Sequence, residues 1–144
     1  MKTLTLAGIL AMAITIGGAS YSTYSNTMDE DDEAIKATVQ HYFDGGYEMR
    51  KAFYPDANMW YVRDGELHQV PIQDFLTRVE ANAGKSSGEV TKSVVSIDRF
   101  GNAAVAKLEL KRPNSVIYDY MSLLKIDGEW QIVNKIFDSQ KQGM

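Results

Sequence analysis

The sequence predicts an α+β domain in which a cone-shaped, curved antiparallel sheet wraps around about three N-terminal helices. Apolar residues recur at helical spacing in residues 27–54 and again in 71–84. From residue 58 onward the period changes to two, and tight turns separate the strand-like runs. Each helix has one apolar stripe, so the helices must pack on one face of the sheet.

The N-terminus has the three-part pattern of a secretory signal peptide. Lys2 precedes an apolar run from Leu4 to Ile16, and small residues precede a cut after Ala19. A membrane anchor is the alternative, but a spanning helix needs about 20 apolar residues. We therefore expect export to the periplasm or medium of a bacterium, with no stable membrane anchor after cleavage. The predicted organisation is a signal peptide at 1–19, a flexible leader at 20–27 and a domain at 28–140.

Two helices are expected before the sheet. Thr27 and Glu30 have the spacing of a capping box, and the acidic run that follows suits a helix N-terminus better than a calcium loop. Gly45-Gly46 should end or bend this helix, because glycine adopts left-handed backbone angles without a Cβ clash. A short second helix over 47–54 should stop at Pro55.

The rest of the chain predicts a hairpin, a third helix and a four-stranded meander. Asp64-Gly65 is the expected hairpin turn, and Pro71 suits the first turn of the following helix. The four strand runs are 89–100, 103–112, 115–126 and 129–139.

Composition excludes several classes of function. The net charge of −4 and the pI of about 5.1 argue against binding of nucleic acid. There is no cysteine, and His41 and His68 are the only histidines, so a metal site is not expected. No glycine-rich phosphate loop is present, and no cofactor is expected.

Four stretches resemble the nuclear transport factor 2-like superfamily, and within it the group named for putative lumazine binding, close to the SnoaL-like domains. They are YFDGGY at 42–47, RKAFYPDANM at 50–59, DGEL at 64–67 and DGEWQIVNKIFD at 127–138. The resemblance implies a cystatin-like α+β barrel with a conical pocket, and often a dimer through the outer face of the sheet. Related sequences often have histidine at the position of Tyr54, so this chain departs from them there.

Six residues are candidates for a ligand pocket, because aromatic and polar groups cluster where the open end of the cone is expected. They are Tyr42, Tyr54, Trp60, Tyr118, Asn134 and Asp138. Core packing would explain the aromatics equally, and Trp60 and Tyr61 cannot both face inward on one strand. Asn134 and Asp138 share a face with Trp130 and Ile132, unless a bulge reverses the end of the strand.

The leading hypothesis is an exported, non-catalytic domain that binds a small apolar or aromatic molecule or acts as a scaffold. The alternative is a small enzyme, of isomerase, cyclase or dehydratase type, that acts on an apolar carbonyl compound by proton transfer. A third hypothesis is a purely structural dimer whose cavity is filled by its own side chains. No motif identifies catalytic residues. A homodimer is expected, because the second faces of the strands carry too much apolar surface for solvent. The apolar residues of these faces, in some register, are Val95, Ile97, Ala104, Ala106, Ile117, Met121, Val133 and Phe137.

Overall fold

The computed structural model describes residues 16–85 and 88–142, with side chains from Glu30 onward. The chain divides into two units, residues 1–33 and 34–144, and the strands belong to the second. The elements are helices α1 (Ile16–Asp44) and α2 (Ile72–Ala81), a 3-10 helix (Glu48–Ala52), and strands β1 (Phe53–Arg63), β2 (Glu66–Pro71), β3 (Thr91–Phe100), β4 (Ala103–Arg112), β5 (Ser115–Ile126) and β6 (Glu129–Lys141). The fold class is α+β, as predicted.

Helix α1 begins earlier than the capping box indicates. Residues 20–27, for which the sequence predicts a flexible leader, are helical in the full-length chain, and Thr27 lies inside the helix. An interior amide donates to the carbonyl four residues before it, so the Thr27 side chain finds no free amide to cap. Most of the predicted signal peptide lies outside the described residues, and its cleavage stays a prediction. None of the helices described has the length and hydropathy of a membrane span.

The glycine pair ends α1, as expected. Gly45 and Gly46 both have positive φ angles, 70° and 52°, in the left-handed region where other residues clash. The predicted second helix is only the 3-10 helix, and β1 already begins at Phe53. Pro55 lies within β1 where the pairing to β6 shifts register, because proline has no amide to donate to the ladder.

The hairpin and the third helix form where the sequence predicts them. Asp64 and Gly65 both have positive φ, which is the turn that joins β1 to β2. Pro71 precedes α2 as its N-cap. Arg50 binds the carboxylate of Glu80 with two hydrogen bonds of 2.9 and 3.0 Å, which connect the 3-10 helix to α2.

The six strands form one curved sheet in the order β2-β1-β6-β5-β4-β3. Strands β3 to β6 make the predicted antiparallel meander, and β1 joins its edge by pairing with β6 in parallel. Through this parallel pair, the first half of the chain is hydrogen-bonded to the last strand. The hairpin β1-β2 therefore extends the sheet that the meander begins.

The core lies between one face of the sheet, here called the inner face, and the two α-helices. Ile35 and Val39 of α1 and Ile72 and Leu76 of α2 pack against it. Thr38 donates a hydrogen bond of 2.9 Å to the carbonyl of Trp130, which fixes α1 on β6. The buried sheet residues of this core are Phe53, Ala57, Ala104, Ala106, Leu108, Leu110, Met121, Leu123, Trp130 and Ile132.

A bulge in β6 changes which residues face the core. Ser122 pairs with Asn134, but Leu123 pairs with Ile132, so Val133 is the extra residue. Before the bulge Ile132 is buried, and after it Lys135 is buried. The alternation therefore reverses, and Asn134 and Asp138 do not continue the face of Ile132.

The opposite face, here called the outer face, carries a different apolar set from the one assigned by sequence. Ala104, Ala106 and Met121 are core residues, and Ile97 and Ile117 pack against the core. Val95 is exposed (50%), as predicted, and the other exposed residues are neighbours of the core set in the alternation: Val105 (47%), Tyr120 (39%), Leu124 (42%) and Ile136 (47%). The assignment was wrong by one residue along β4 and β5, because both faces of these strands are partly apolar and the period alone does not distinguish them.

Candidate functional site

Three ionisable or hydroxyl side chains meet inside the core, between α1 and the centre of the sheet. Tyr42 lies near the end of α1, Asp119 in β5 and Lys135 in β6. Their exposed fractions are 5%, 0% and 4%. Aspartate and lysine are almost never buried to this extent without a partner, so their contacts decide what the site can do.

The three groups form a closed ring of short contacts. The Tyr42 hydroxyl donates to Oδ2 of Asp119 at 2.6 Å and accepts from Nζ of Lys135 at 2.7 Å. Nζ also lies 2.7 Å from Oδ1 of Asp119, an ion-pair contact without the alignment of a hydrogen bond. A proton can therefore pass between Tyr42 and either of the other two groups over one hydrogen bond, and between Lys135 and Asp119 through the Tyr42 hydroxyl. We call these residues the buried triad.

Aromatic rings surround the ammonium group on its other sides. Nζ of Lys135 lies 4.8 Å from the ring centroid of Tyr42, 5.7 Å from that of Phe75 and 5.1 Å from that of Phe137. These distances allow cation–π attraction. They also give the amine an apolar wall.

The rings continue from the triad toward the hairpin. Phe137 contacts Tyr61 at 5.2 Å between centroids, and Tyr61 stacks on His68 at 5.1 Å. All three rings are partly exposed. An aromatic row therefore leads from the buried ammonium to the half-exposed end of β1 and β2.

Burial shifts the pKa values of two triad members in opposite directions. Burial lowers the pKa of Lys135, because desolvation disfavours the charged amine, and the carboxylate of Asp119 opposes this only in part. Burial raises the pKa of Tyr42 well above its usual value, and the charge and hydrogen bond of Asp119 raise it further. Tyr42 thus stays a neutral hydroxyl, whereas the proton of Lys135 is held less firmly than on a solvated lysine.

Of the six residues predicted to line a pocket, Tyr42 belongs to the buried triad. Tyr54 lies at the start of β1 and is exposed. Trp60 alternates with the buried Met59 and pairs with Ile136 and Gln69, so it lies on the outer face, while Tyr61 faces inward.

The remaining three candidates also lie on the outer face. Tyr118 pairs with Asp138 and donates a hydrogen bond to Glu109, a bond that raises the pKa of Tyr118. Asn134 pairs with Asn58 and Ser122. Trp60, Tyr118, Asn134 and Asp138 thus share the outer face, with Tyr118 paired to Asp138, whereas Tyr42 lies on the inner face. The bulge at Val133 is what moves Asn134 and Asp138 to the outer face. Whether any of them contacts a ligand stays a prediction.

Sequence reasoning missed Asp119 and Lys135. Asp119 could have been found, since it interrupts the alternating apolar set Ile117, Met121 and Leu123 of one strand. Lys135 could not, because it faces inward only through the bulge. In the part of the chain that the structure describes, no group of three histidine or acidic side chains is arranged to hold a metal ion.

A separate surface groove of about 380 Å³ lies on the other side of the sheet. Its lining includes Phe100, Val105, Leu124 and Val133. These residues lie on the outer face, in β3, β4, β5 and β6. The groove and the buried triad are therefore distinct features, on opposite faces of one sheet.

The comparisons with known proteins agree with this fold. Residues 30–138 match the family described as "Putative lumazine-binding". An NTF2-like protein of unknown function from Shewanella baltica OS155 is 28% identical, with a TM-score of 0.71 over 78% of this chain and 96% of that one. Another from Methylobacillus flagellatus KT is 29% identical, with a TM-score of 0.66 over 77% and 93%.

A curated relative, aldolase FrzH from Cladobotryum sp., is 26% identical over 112 residues, which cover 74% of this chain and 90% of the relative. A scytalone dehydratase-like structure from Novosphingobium aromaticivorans, at 14% identity and a TM-score of 0.57, is similar in fold alone. The family match spans most of the chain, and the two NTF2-like structures are similar to it over more than three quarters of its length. The chain therefore belongs to the putative lumazine-binding family of the NTF2-like superfamily.

Proposed function

We propose that the protein is a small-molecule-binding domain whose ligand lies against the inner face of the sheet, with the buried triad at the base of the site. One observation carries this proposal: a lysine, an aspartate and a tyrosine are buried together beside a wall of aromatic rings. Binding sites for small molecules typically combine apolar and aromatic walls with a few convergent polar groups. Burial lowers the pKa of Lys135 and raises that of Tyr42, and groups with perturbed pKa values cluster at functional sites.

The expected ligand is flat, apolar or aromatic, with one polar atom that reaches the triad. Rings of Phe75, Phe137 and Tyr61 would stack on the body of the ligand. Nζ of Lys135 would donate to a carbonyl or anionic oxygen, and replace a contact it now makes with Tyr42 or Asp119. Lumazine, a bicyclic compound with carbonyl groups that the family is named for, has this form and is the first probe.

Titration of purified protein with lumazine, followed by the quenching of tryptophan fluorescence, tests the proposal. Native mass spectrometry of the same preparation would detect a ligand that co-purifies. Tyr42→Phe removes the triad hydroxyl and should weaken binding at least several-fold. Tyr118→Phe removes a hydroxyl from the outer face and is the matched control. Equal effects of the two substitutions would argue against a ligand at the triad.

An enzyme acting on an apolar carbonyl compound is the second candidate function. The relative named aldolase and the proton-transfer contacts of the triad support it. A tyrosine hydroxyl and an amine within 2.7 Å are suited to protonate or polarise a carbonyl oxygen. Turnover of an aldol substrate by wild-type protein, lost in Tyr42→Phe but kept in Tyr118→Phe, would favour the enzyme.

We also propose that the mature protein is exported and forms a homodimer through the outer face of its sheet. The apolar run and small residues at 4–19 support export. The exposed Val105, Tyr120, Leu124 and Ile136, with the groove beside them, support the dimer, since such contiguous patches usually mark an interface. In this arrangement the buried triad faces away from the interface, and each subunit keeps its own site.

A further inference from the structure

We propose that Lys135 forms a Schiff base with an apolar aldehyde or ketone bound beside the buried triad. The inference rests on the proposed function, because a carbonyl compound must first reach the inner face of the sheet. It adds covalent chemistry at one named nitrogen. The site would then be a covalent carbonyl-binding site, with an aldehyde or ketone as its class of ligand.

The amine of Lys135 must be neutral to react with a carbonyl group. Only the unprotonated amine attacks a carbonyl carbon, and an ordinary lysine of pKa about 10.4 is almost entirely charged near pH 7. Burial among aromatic rings lowers the pKa of Lys135 and increases its neutral fraction. The proton that leaves Nζ can reach the Asp119 carboxylate through the Tyr42 hydroxyl, which is hydrogen-bonded to both groups.

Groups that can donate and accept protons, Tyr42 and Asp119, lie beside Nζ, where the reaction needs them. Nζ attacks the carbonyl carbon, the C–N bond forms, and the π electrons of the C=O bond move to oxygen. That oxygen takes a proton from the triad, through the Tyr42 hydroxyl, which gives a carbinolamine. The nitrogen gives a proton back to the triad, which restores the Tyr42 hydroxyl. The nitrogen lone pair then forms the C=N bond as the C–O bond breaks, the leaving oxygen takes a proton from the triad, and one water leaves. The iminium nitrogen returns that proton to the triad and becomes an imine. In sum, an amine and a carbonyl compound give an imine and water.

Nζ of Lys135 has both polar and apolar neighbours. Tyr42 and Asp119 contact Nζ on the polar side, whereas Phe75 and Phe137 lie on the apolar side. A carbonyl compound would enter along the rings of His68, Tyr61 and Phe137, a row that ends at the amine. Such walls favour an apolar aldehyde or ketone over a sugar or a phosphate ester.

The fold itself has no need of this ion pair. Replacing buried charged groups by apolar residues of similar volume is often neutral or stabilising. The rest of the inner face of this chain is an apolar core. A buried amine that the fold does not require, next to a hydroxyl and a carboxylate, fits a reactive group better than a structural one.

Reductive trapping tests the proposal on the wild-type protein. Purified full-length chain is incubated with cyclohexanone or benzaldehyde and sodium cyanoborohydride at neutral pH, and the adduct is located by peptide mapping. The chain has ten lysines, so selectivity can be measured directly. We expect labelling of Lys135 at least tenfold above that of any other lysine. Labelling spread over exposed lysines, or no labelling at Lys135, would overturn the proposal.

Variants separate this proposal from the proposed function. Lys135→Arg keeps the positive charge but has no nucleophilic amine, and the apolar triple variant Lys135→Met/Asp119→Leu/Tyr42→Phe removes the triad with its shape preserved. Both should lose the selective adduct, while Lys141→Met, an exposed lysine on the same strand, should keep it. If wild-type protein binds lumazine but is not labelled at Lys135, the Schiff base is refuted and the binding function stands. If it neither binds lumazine nor is labelled, both fail.

Discussion

The single substitution Lys135→Met should destabilise the protein far more than removal of the whole triad. Lys135→Met deletes the ammonium but leaves the Asp119 carboxylate fully buried, with the Tyr42 hydroxyl as its remaining contact. A charge in that position has lost both water and its counter-ion. The cost therefore measures an uncompensated charge rather than the worth of the ion pair.

The magnitude follows from the burial of the pair. Breaking a buried ion pair by removing one partner costs about 3–5 kcal/mol. For a domain of this length this corresponds to a fall in the melting temperature of roughly 10–20 °C. In the apolar triple variant no charge or hydroxyl is left without a partner, so its stability should lie within about 1 kcal/mol of wild type or above it.

Urea denaturation followed by far-UV circular dichroism gives the free energies of unfolding. Fluorescence provides a second probe, because Trp130 is buried in the same core. Protein concentration must be equal in all samples, since a dimer makes apparent stability depend on it. The slope of free energy against urea should be the same in all variants, so that the midpoints report stability.

Two results would refute this reasoning. A Lys135→Met protein within about 1 kcal/mol of wild type would mean that the site admits water or that Asp119 is not charged without its partner. A triple variant as unstable as the single one would mean that packing, and not charge, determines the cost. Lys141→Met, exposed on the same strand, should change stability by less than about 0.5 kcal/mol.

Three further predictions concern the hydroxyl of Tyr42, the dimer and the signal peptide. Tyr42→Phe should cost about 1–3 kcal/mol in urea denaturation, because it removes a buried hydroxyl bonded on both sides, whereas Tyr118→Phe should cost less than about 0.5 kcal/mol. Ile136→Glu puts a charge on the outer face and should convert the dimer to a monomer, as measured by light scattering at micromolar concentration. The control Tyr47→Glu, at an exposed residue outside the strands, should leave the dimer intact. A wild-type protein that is monomeric would contradict the dimer. N-terminal sequencing of exported material should find a chain that starts at residue 20, and a chain that still starts at Met1 would disprove cleavage.

Local signals in the sequence predicted most of the fold. The glycine pair after α1, the Asp-Gly turns before β2 and β6, and the change of period from helical to two are local features with a direct backbone cause. The meander followed from them, since neighbouring antiparallel strands with tight turns have few alternative arrangements. The family resemblance then indicated how helices and sheet combine.

Local signals did not predict the contacts between residues that are distant in sequence. The parallel pairing of β1 with β6 joins the middle of the chain to its last strand, and no turn signal encodes it. The second helix was predicted too long because the strand pairing of Phe53 outweighs the helix propensity of the preceding residues.

The sequence by itself determined the fold class, the turns and the presence of aromatic and acidic groups, because each depends on a few neighbouring residues. Only the tertiary structure decided which of those groups share a site. The bulge at Val133 reverses the face of β6, brings Lys135 to Asp119 and Tyr42, and sends Asn134 and Asp138 to the outer face. A one-residue change of register moves every later side chain across the sheet, and it depends on how two strands fit together rather than on either strand alone.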